Sequence, residues 1–245
     1  MSYRSDEDLN FLRQCSADDL DPLVRYLTAD KDGSPRLTES LTKSDRYKEC
    51  HPAHEYYWDL IAAELQTFGA NSIVTLFRGG EGVLYRKILT DVCDKMKVNY
   101  NPRSAVELIE QNLLMKLLTD SLDRMDYDAK ARLVESLGLR TTSLTGPAIT
   151  AALQLGVQAG GFATYQLAVI VANAVANAVL GHGLSLGLNA ALTRAIGLAA
   201  GPIGWVVTGL WTVASLAGPA YRVTIPCVVH VAFLRAKLSQ ARSFA

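Results

Sequence analysis

Cys50, His51 and His54 place a thiol and two imidazoles within five residues, the densest set of metal-ligating side chains in the chain. A structural zinc centre recruits about four ligands, and no second ligand pair stands at a matching spacing. The local pattern therefore predicts that His51-Pro52 introduces the aromatic helix that follows. Arg78-Gly79-Gly80-Glu81-Gly82 has the glycines of a phosphate-cradling loop, but no strand precedes it and no Gly-Lys-Ser/Thr follows. A turn between two helices explains it better. His182 and His230 stand in apolar stretches and could titrate near neutral pH, although lone histidines more often serve structural needs. All acids precede Arg140, so a Ser/His/Asp triad would have to be assembled across the two halves of the chain. These readings predict a protein that is not an enzyme and has no cofactor and no metal.

The side chains that do dominate are distributed unevenly. The 245 residues carry 24 basic and 24 acidic groups, so the formal net charge is zero. Residues 1–140 hold 19 of the basic groups and all 24 acids, a net of −5; residues 141–245 hold five basic groups and no acid, a net of +5. Between Arg140 and Arg194 lie 53 uncharged residues, and between Arg194 and Arg222 another 27. With 49% hydrophobic residues the chain is no disordered tail, and four scattered cysteines without paired spacing fit reduced thiols. The N-terminus, MSYRSDEDL, has no apolar targeting segment.

The acidic half reads as successive short helices. Ser5 with Asp8 and Ser16 with Asp19 each have the spacing of a helix-starting capping box, the second leading into Leu20, Leu23, Val24 and Leu27. A helix is expected through Leu37 and Leu41. A stronger one follows through Tyr56, Tyr57, Ile61 and Leu65 and ends at Gly69. Ser104 with Glu107 would cap a long segment whose Val106, Ile109, Leu113, Leu117 and Leu122 make one apolar stripe. No run alternates with a period of two for long enough to predict a strand.

The neutral half is rich in small residues. Ala148–Leu180 exceeds the ~20 apolar residues needed to cross a bilayer. A second apolar run, Ile196–Ala217, carries Trp205 and Trp211, so the two could form a hairpin through Gly181-His182-Gly183. Small residues recur four apart at Gly156/Gly160, Gly183/Gly187 and Gly197/Gly201, a spacing that lets helices approach closely in lipid. On one continuous helix, Gln154, Gln158, Gln166, Asn173 and Asn177 would fall within about 140° and form an amide stripe. Such amides need partners across a helix pair, a wet lumen or solvent. Arg222, Arg235, Lys237 and Arg242 follow the apolar segments and suit anionic headgroups or the positive-inside side of a membrane. The cluster is too small for a nucleic-acid footprint. A soluble fold that hides the hairpin inside amphipathic helices reads equally well from the same residues.

Four segments carry a family likeness: DLNFLRQCS, ELQTFGANSIVTLFRGGEGVLYRKILTDVCDKMKV at 64–98, VLGHGL at 179–184 and GPAYRVTIPCVVHVAFLR at 218–235. Over most of its length, and least over Ala148–Val175, the chain resembles the YaaW family of bacterial proteins. Some members of that family are labelled as relatives of ubiquinol–cytochrome c chaperones. The resemblance implies a helical assembly-factor fold and carries over no catalytic residue.

The fold class expected is all-α. An acidic helical bundle, 1–140, is followed by a hydrophobic Gly/Ala-rich helical region, 141–245, that contains the hairpin and ends in a basic tail. The function expected is a non-enzymatic membrane-associated protein whose hairpin anchors it or inserts conditionally, with a possible pore. The alternative is a soluble chaperone-like factor that binds a protein partner on apolar helix faces. Expected partners are membrane lipid, with an unidentified protein or a second copy; nucleic acid is excluded. The expected location is the cytoplasmic face of the inner membrane, or alternatively the cytoplasm. On this reading residues 145–220 confer membrane association and residues 1–140 stay soluble alone.

Overall fold

The structure, a computed structural model, describes residues 2–30, 33–36, 39–71, 82–160, 162–184, 196–197, 199–207, 209 and 220–243. They build an all-α fold: α1 (Ala17–Thr28), α2 (Asp45–Cys50), α3 (Trp58–Asn71), α4 (Tyr85–Lys95), α5 (Val106–Ser121), α6 (Tyr127–Ser136), α7 (Gly146–Gln158), α8 (Phe162–Leu180) and a long C-terminal α9 (Tyr221–Arg242). The described residues at 196–207 are helical too. Short 3-10 turns stand at Asn10–Gln14, Leu41–Lys43, His54–Tyr57 and Leu122–Arg124. No strand forms among the described residues, where an isolated bridge pairs Ala29 with Pro35.

Local chemistry explains several boundaries. The Ser16 hydroxyl accepts from the Asp19 amide at 3.3 Å, and the Asp19 carboxylate accepts from the Ser16 amide at 3.4 Å, so the expected capping box starts α1. The box expected at Ser5 does not form. Asp6 turns inward instead, and its carboxylate accepts from the Asp8 amide at 3.0 Å and the Tyr85 amide at 2.6 Å. It thereby satisfies an orphan donor at the start of α4, whose own N-cap, Leu84, has no side chain able to accept. Ser104 does not cap α5, which begins after Ala105 without a side-chain cap. The helix expected to stop at Gly69 continues to Asn71; a Cβ at Gly69 would collide with Ile88, so the glycine lets α3 and α4 meet. Leu37 lies outside the described residues.

The long helix expected over 148–180 is two helices. Gly160 adopts φ +75°, a left-handed conformation that ends α7 and that a residue with a Cβ adopts only under strain. The amide stripe presumed unbroken helical phase across this point, so its members do not share one face as expected. Of the second arm of the expected hairpin, residues 196–197, 199–207 and 209 are described and helical; the remainder, with Gly187 and Trp211, lies outside the described residues.

One hydrophobic cluster runs through both halves. It takes Leu20, Leu23 and Leu27 from α1, Ile109, Leu113 and Leu117 from α5, Leu167–Ala172 from α8 and Val223–Leu234 from α9. Helix α9 packs on α8 and also on α1, α3, α4 and α5. Residues 166–176 of α8 are buried at every position, as only a helix with neighbours on all sides can be. Composition changes at Arg140, but the core passes through that point. Residues 1–140 expressed alone should therefore expose the faces that α8 and α9 cover and show no cooperative thermal transition by circular dichroism. A sharp, reversible melt of that fragment would contradict this packing.

Candidate functional site

The cations of the C-terminal helix are directed into the acidic half. Arg235 Nε donates to Glu110 Oε2 at 2.9 Å, and its Nη2 donates to the Asp8 carbonyl at 2.6 Å. Its guanidinium carbon lies 4.4 Å from the Phe11 ring centroid, and Nη1 stands 3.6 Å from Glu107. Glu110 is buried, and its other oxygen accepts from Tyr85 Oη at 2.7 Å. Burial raises the Glu110 carboxyl to about 7 even with Arg235 opposing it, and the same burial drives the Tyr85 phenol upward. Lys237 Nζ donates to Asp19 at 2.5 Å and Arg242 donates to Gln14 at 2.7 Å. Arg222 is exposed. Of the four residues expected to anchor a membrane, three thus meet partners between Asp8 and Glu110 of the same chain. Glu110 carried a sequence signal that was not used: it lies between Val106, Ile109 and Leu113 on the apolar stripe of α5, where a charge needs a partner.

A cleft of about 200 Å³ opens beside this pair. Glu107 and Gln111 of α5, Thr164 of α8 and Arg235, Ser239 and Gln240 of α9 line it, and the Thr164 hydroxyl has no partner. Among the described residues no serine or cysteine is hydrogen-bonded to a histidine. Burial pushes the Cys15 and Cys93 thiols up to about 12 and the Cys227 thiol upward as well, so these sulfurs are poor nucleophiles.

Of the Cys50/His51/His54 cluster, the two histidines join a hydrogen-bonded chain through Tyr57 to Asp21. His54 is buried; its Nδ1 meets the Tyr57 hydroxyl and its Nε2 lies 3.4 Å from Asp21, so both ring nitrogens are engaged. His51 stacks on Tyr47 with centroids 4.9 Å apart, and its Nδ1 stands 3.5 Å from Tyr57 Oη. The bond from His54, then the Arg25 guanidinium, holds the Asp21 carboxyl below its ordinary range. Among the described residues no three His, Cys, Asp or Glu side chains are placed to hold a metal ion. Residues 78–81 of the glycine-rich stretch lie outside the described residues.

The expected membrane and packing residues part company. Gln166 is buried and donates to the Ser136 carbonyl at 3.1 Å; Asn173 is buried and accepts from the Leu184 amide at 2.7 Å. Gln154, Gln158 and Asn177 face solvent. Gly183 has a packing role, since a Cβ there would stand 2.6 Å from Asn173 Oδ1, and Gly156 makes ordinary contact with Leu139 and Ala163. A Cβ at Gly160, Gly197 or Gly201 would meet open space. Trp205 is exposed. Among the described residues α8 is long and apolar enough to cross a membrane, but 61% of its apolar window is buried inside the fold. Core helices of soluble proteins pass the same test. At the α7–α8 corner, Leu155 and Phe162 are 69% and 49% exposed, within the 53-residue stretch that bears no charge.

The described residues thus form an all-helical core, and the sequence comparisons give its family. A family model described as ubiquinol-cytochrome C chaperone matches residues 54–231, and one described as a domain of unknown function (DUF3944) matches residues 3–37. A UPF0174 protein of Helicobacter pylori J99 is 48% identical over 242 residues, 98% of this chain and 95% of that protein. The UPF0174 protein YaaW of Escherichia coli K12 is 36% identical over 244 residues, 98% of each chain. The chain belongs to the UPF0174 (YaaW) family of bacterial proteins. No solved structure matches it.

Arg235→Met leaves Glu110 buried without its counter-charge, which should cost about 3 kcal/mol. The loss depends on pH. Glu110 has a folded-state pKa above its free value of 4.5, so its penalty is absent below that value and grows as pH rises through about 7. Urea denaturation should find the variant's deficit much smaller at about pH 5 than at about pH 8; equal deficits would show that Glu110 does not carry the charge.

Proposed function

We propose that the protein is a non-enzymatic, chaperone-like assembly factor that holds a partner polypeptide on the α7–α8 corner. The observation that carries this reading is the exposure of Leu155 and Phe162 within a stretch of sequence that bears no charge, where large apolar side chains most often mark a contact. The chaperone description of the matching family model supports it, since an assembly factor needs a face for its client and no catalytic machinery. Helix α8 is held in the core, so on this reading the protein works at neutral pH without spanning a bilayer. The rival is constitutive insertion, favoured by the length and composition of α8.

A photo-crosslinking residue placed at Leu155 or Phe162 in the bacterial host should yield a discrete protein adduct. The same residue at exposed Tyr127, on the acidic half, should not. With the crosslinking residue at Leu155, Phe162→Asp should abolish the adduct and leave the melting curve within about 1 kcal/mol of the parent, because Phe162 is solvent-facing. Identical patterns at all three positions would refute the corner as a docking face. Resistance of the unmodified protein to carbonate extraction at neutral pH would establish the rival.

A further inference from the structure

Helix α1 is the seam along which the two halves meet, and a histidine of the C-terminal half touches it near each end. Near its start, the Asp19 carbonyl lies 2.8 Å from His230 Nε2. Near its end, Arg25 Nη1 lies 3.4 Å from Nε2 of His182, in the turn that follows α8. Each contact fixes a tautomer. A carbonyl only accepts, so His230 carries its hydrogen on Nε2 and leaves Nδ1 bare; that Nδ1 is buried and has no partner. His182 Nδ1 stands 3.1 Å from the Gly183 carbonyl and must carry the hydrogen there, so Nε2 is the bare nitrogen that accepts from the guanidinium. The contact at His182 needs a neutral ring; at His230 the bond to the carbonyl is open to either form, and what opposes the charge is the buried Nδ1, which would gain a hydrogen with no acceptor.

We propose that acid opens the chain along α1 and that the opened seam delivers α8 to a lipid bilayer. Protonated His230 would hold a buried N–H with no acceptor. The charged groups facing His230 are Asp19 and Asp21 of α1 and Lys237 of its own helix, with the rings of Tyr26 and Phe233 beside it. Facing His182 is Arg25, itself paired with Asp21 at 2.6 Å. Burial holds the His230 imidazole down to about 4. With the folded value below the free one of 6.5, its contribution to stability is present above 6.5 and is lost as pH falls toward 4. Acid therefore loosens the face of α1 that meets the C-terminal helix, leaving the Lys237–Asp19 pair to bridge the seam.

Lipid is the occupant that suits what lies behind the seam. Helix α1 packs on α8 as well as α9, so parting it bares a flank of α8. That helix has 19 residues and no charge; at 1.5 Å per residue it spans about 28 Å, close to the hydrocarbon thickness of a bilayer. The trigger is separate from the corner proposed for a protein partner, and either can fail without the other.

The test is flotation of the full-length protein with neutral phosphatidylcholine vesicles between about pH 7.5 and about pH 4.5, with tryptophan fluorescence recorded alongside. The protein should stay unbound at the upper value and float about tenfold more at the lower. His230→Gln keeps an N–H for the Asp19 carbonyl but cannot titrate, and should move the midpoint down by about one pH unit. Lys237→Gln removes the charge that resists protonation of His230 and should move it up. A merely structural role predicts the same upward shift for both, because each would only weaken the fold. Should His230→Gln fail to fold, His230→Asn, which also offers an N–H and cannot titrate, replaces it with the same downward expectation. No flotation at about pH 4.5, opening without flotation, or shifts in one common direction would overturn the proposal.

Discussion

A guanidinium cannot be left bare inside a protein, and Arg235 shows how this chain meets that constraint. Its partners are a carboxylate of α5, a carbonyl of the N-terminal segment and the face of Phe11, while Glu110 also receives the Tyr85 hydroxyl of α4. Four separated stretches of sequence are therefore tied to one charge. Because residues 141–245 contain no acid, every counter-charge their cations find within the chain must come from residues 1–140. The partition of charge that makes the two halves look independent in sequence is what obliges them to interlock.

The same interlock changes the meaning of the apolar helices. A charge-free helix of 19 residues reads as a span when only its own sequence is considered, but between α1, α5, α7 and α9 it becomes the middle of a packed helical core. Burial of its apolar surface is favourable in either setting, so the choice rests with the surrounding helices. The polar residues of α8 are answered within the fold, Gln166 by the Ser136 carbonyl and Asn173 by the Leu184 amide. Among the large apolar side chains the fold leaves exposed are Leu155 and Phe162 at the α7–α8 corner.

Much of the helical architecture was legible because it rests on local patterns. The Ser16/Asp19 box, the stripe from Val106 to Leu117 and the absence of period-two runs each act within a few residues. The YaaW likeness was legible from strings spread along the chain. Three features were not. The break at Gly160 turns on a backbone angle, and a glycine in an Ala-rich run reads as helix until that angle is known. Asp6 caps a helix 79 positions away, and Arg235 meets Glu110 from 125 positions away, so neither pairing leaves a spacing to read. The charge on the apolar stripe of α5 announced that a partner existed without naming it.

The central claim is that the chain opens as one cooperative unit despite its divided composition. Native-state amide hydrogen exchange of the intact protein at neutral pH, followed through a series of low denaturant concentrations, tests it most directly. The account predicts that the most protected amides of α1, α5, α8 and α9 converge on one opening free energy with one denaturant dependence. Exchange of α8 and α9 at a distinctly lower free energy, with α1 and α5 still protected, would contradict it and restore the two halves as separate folding units.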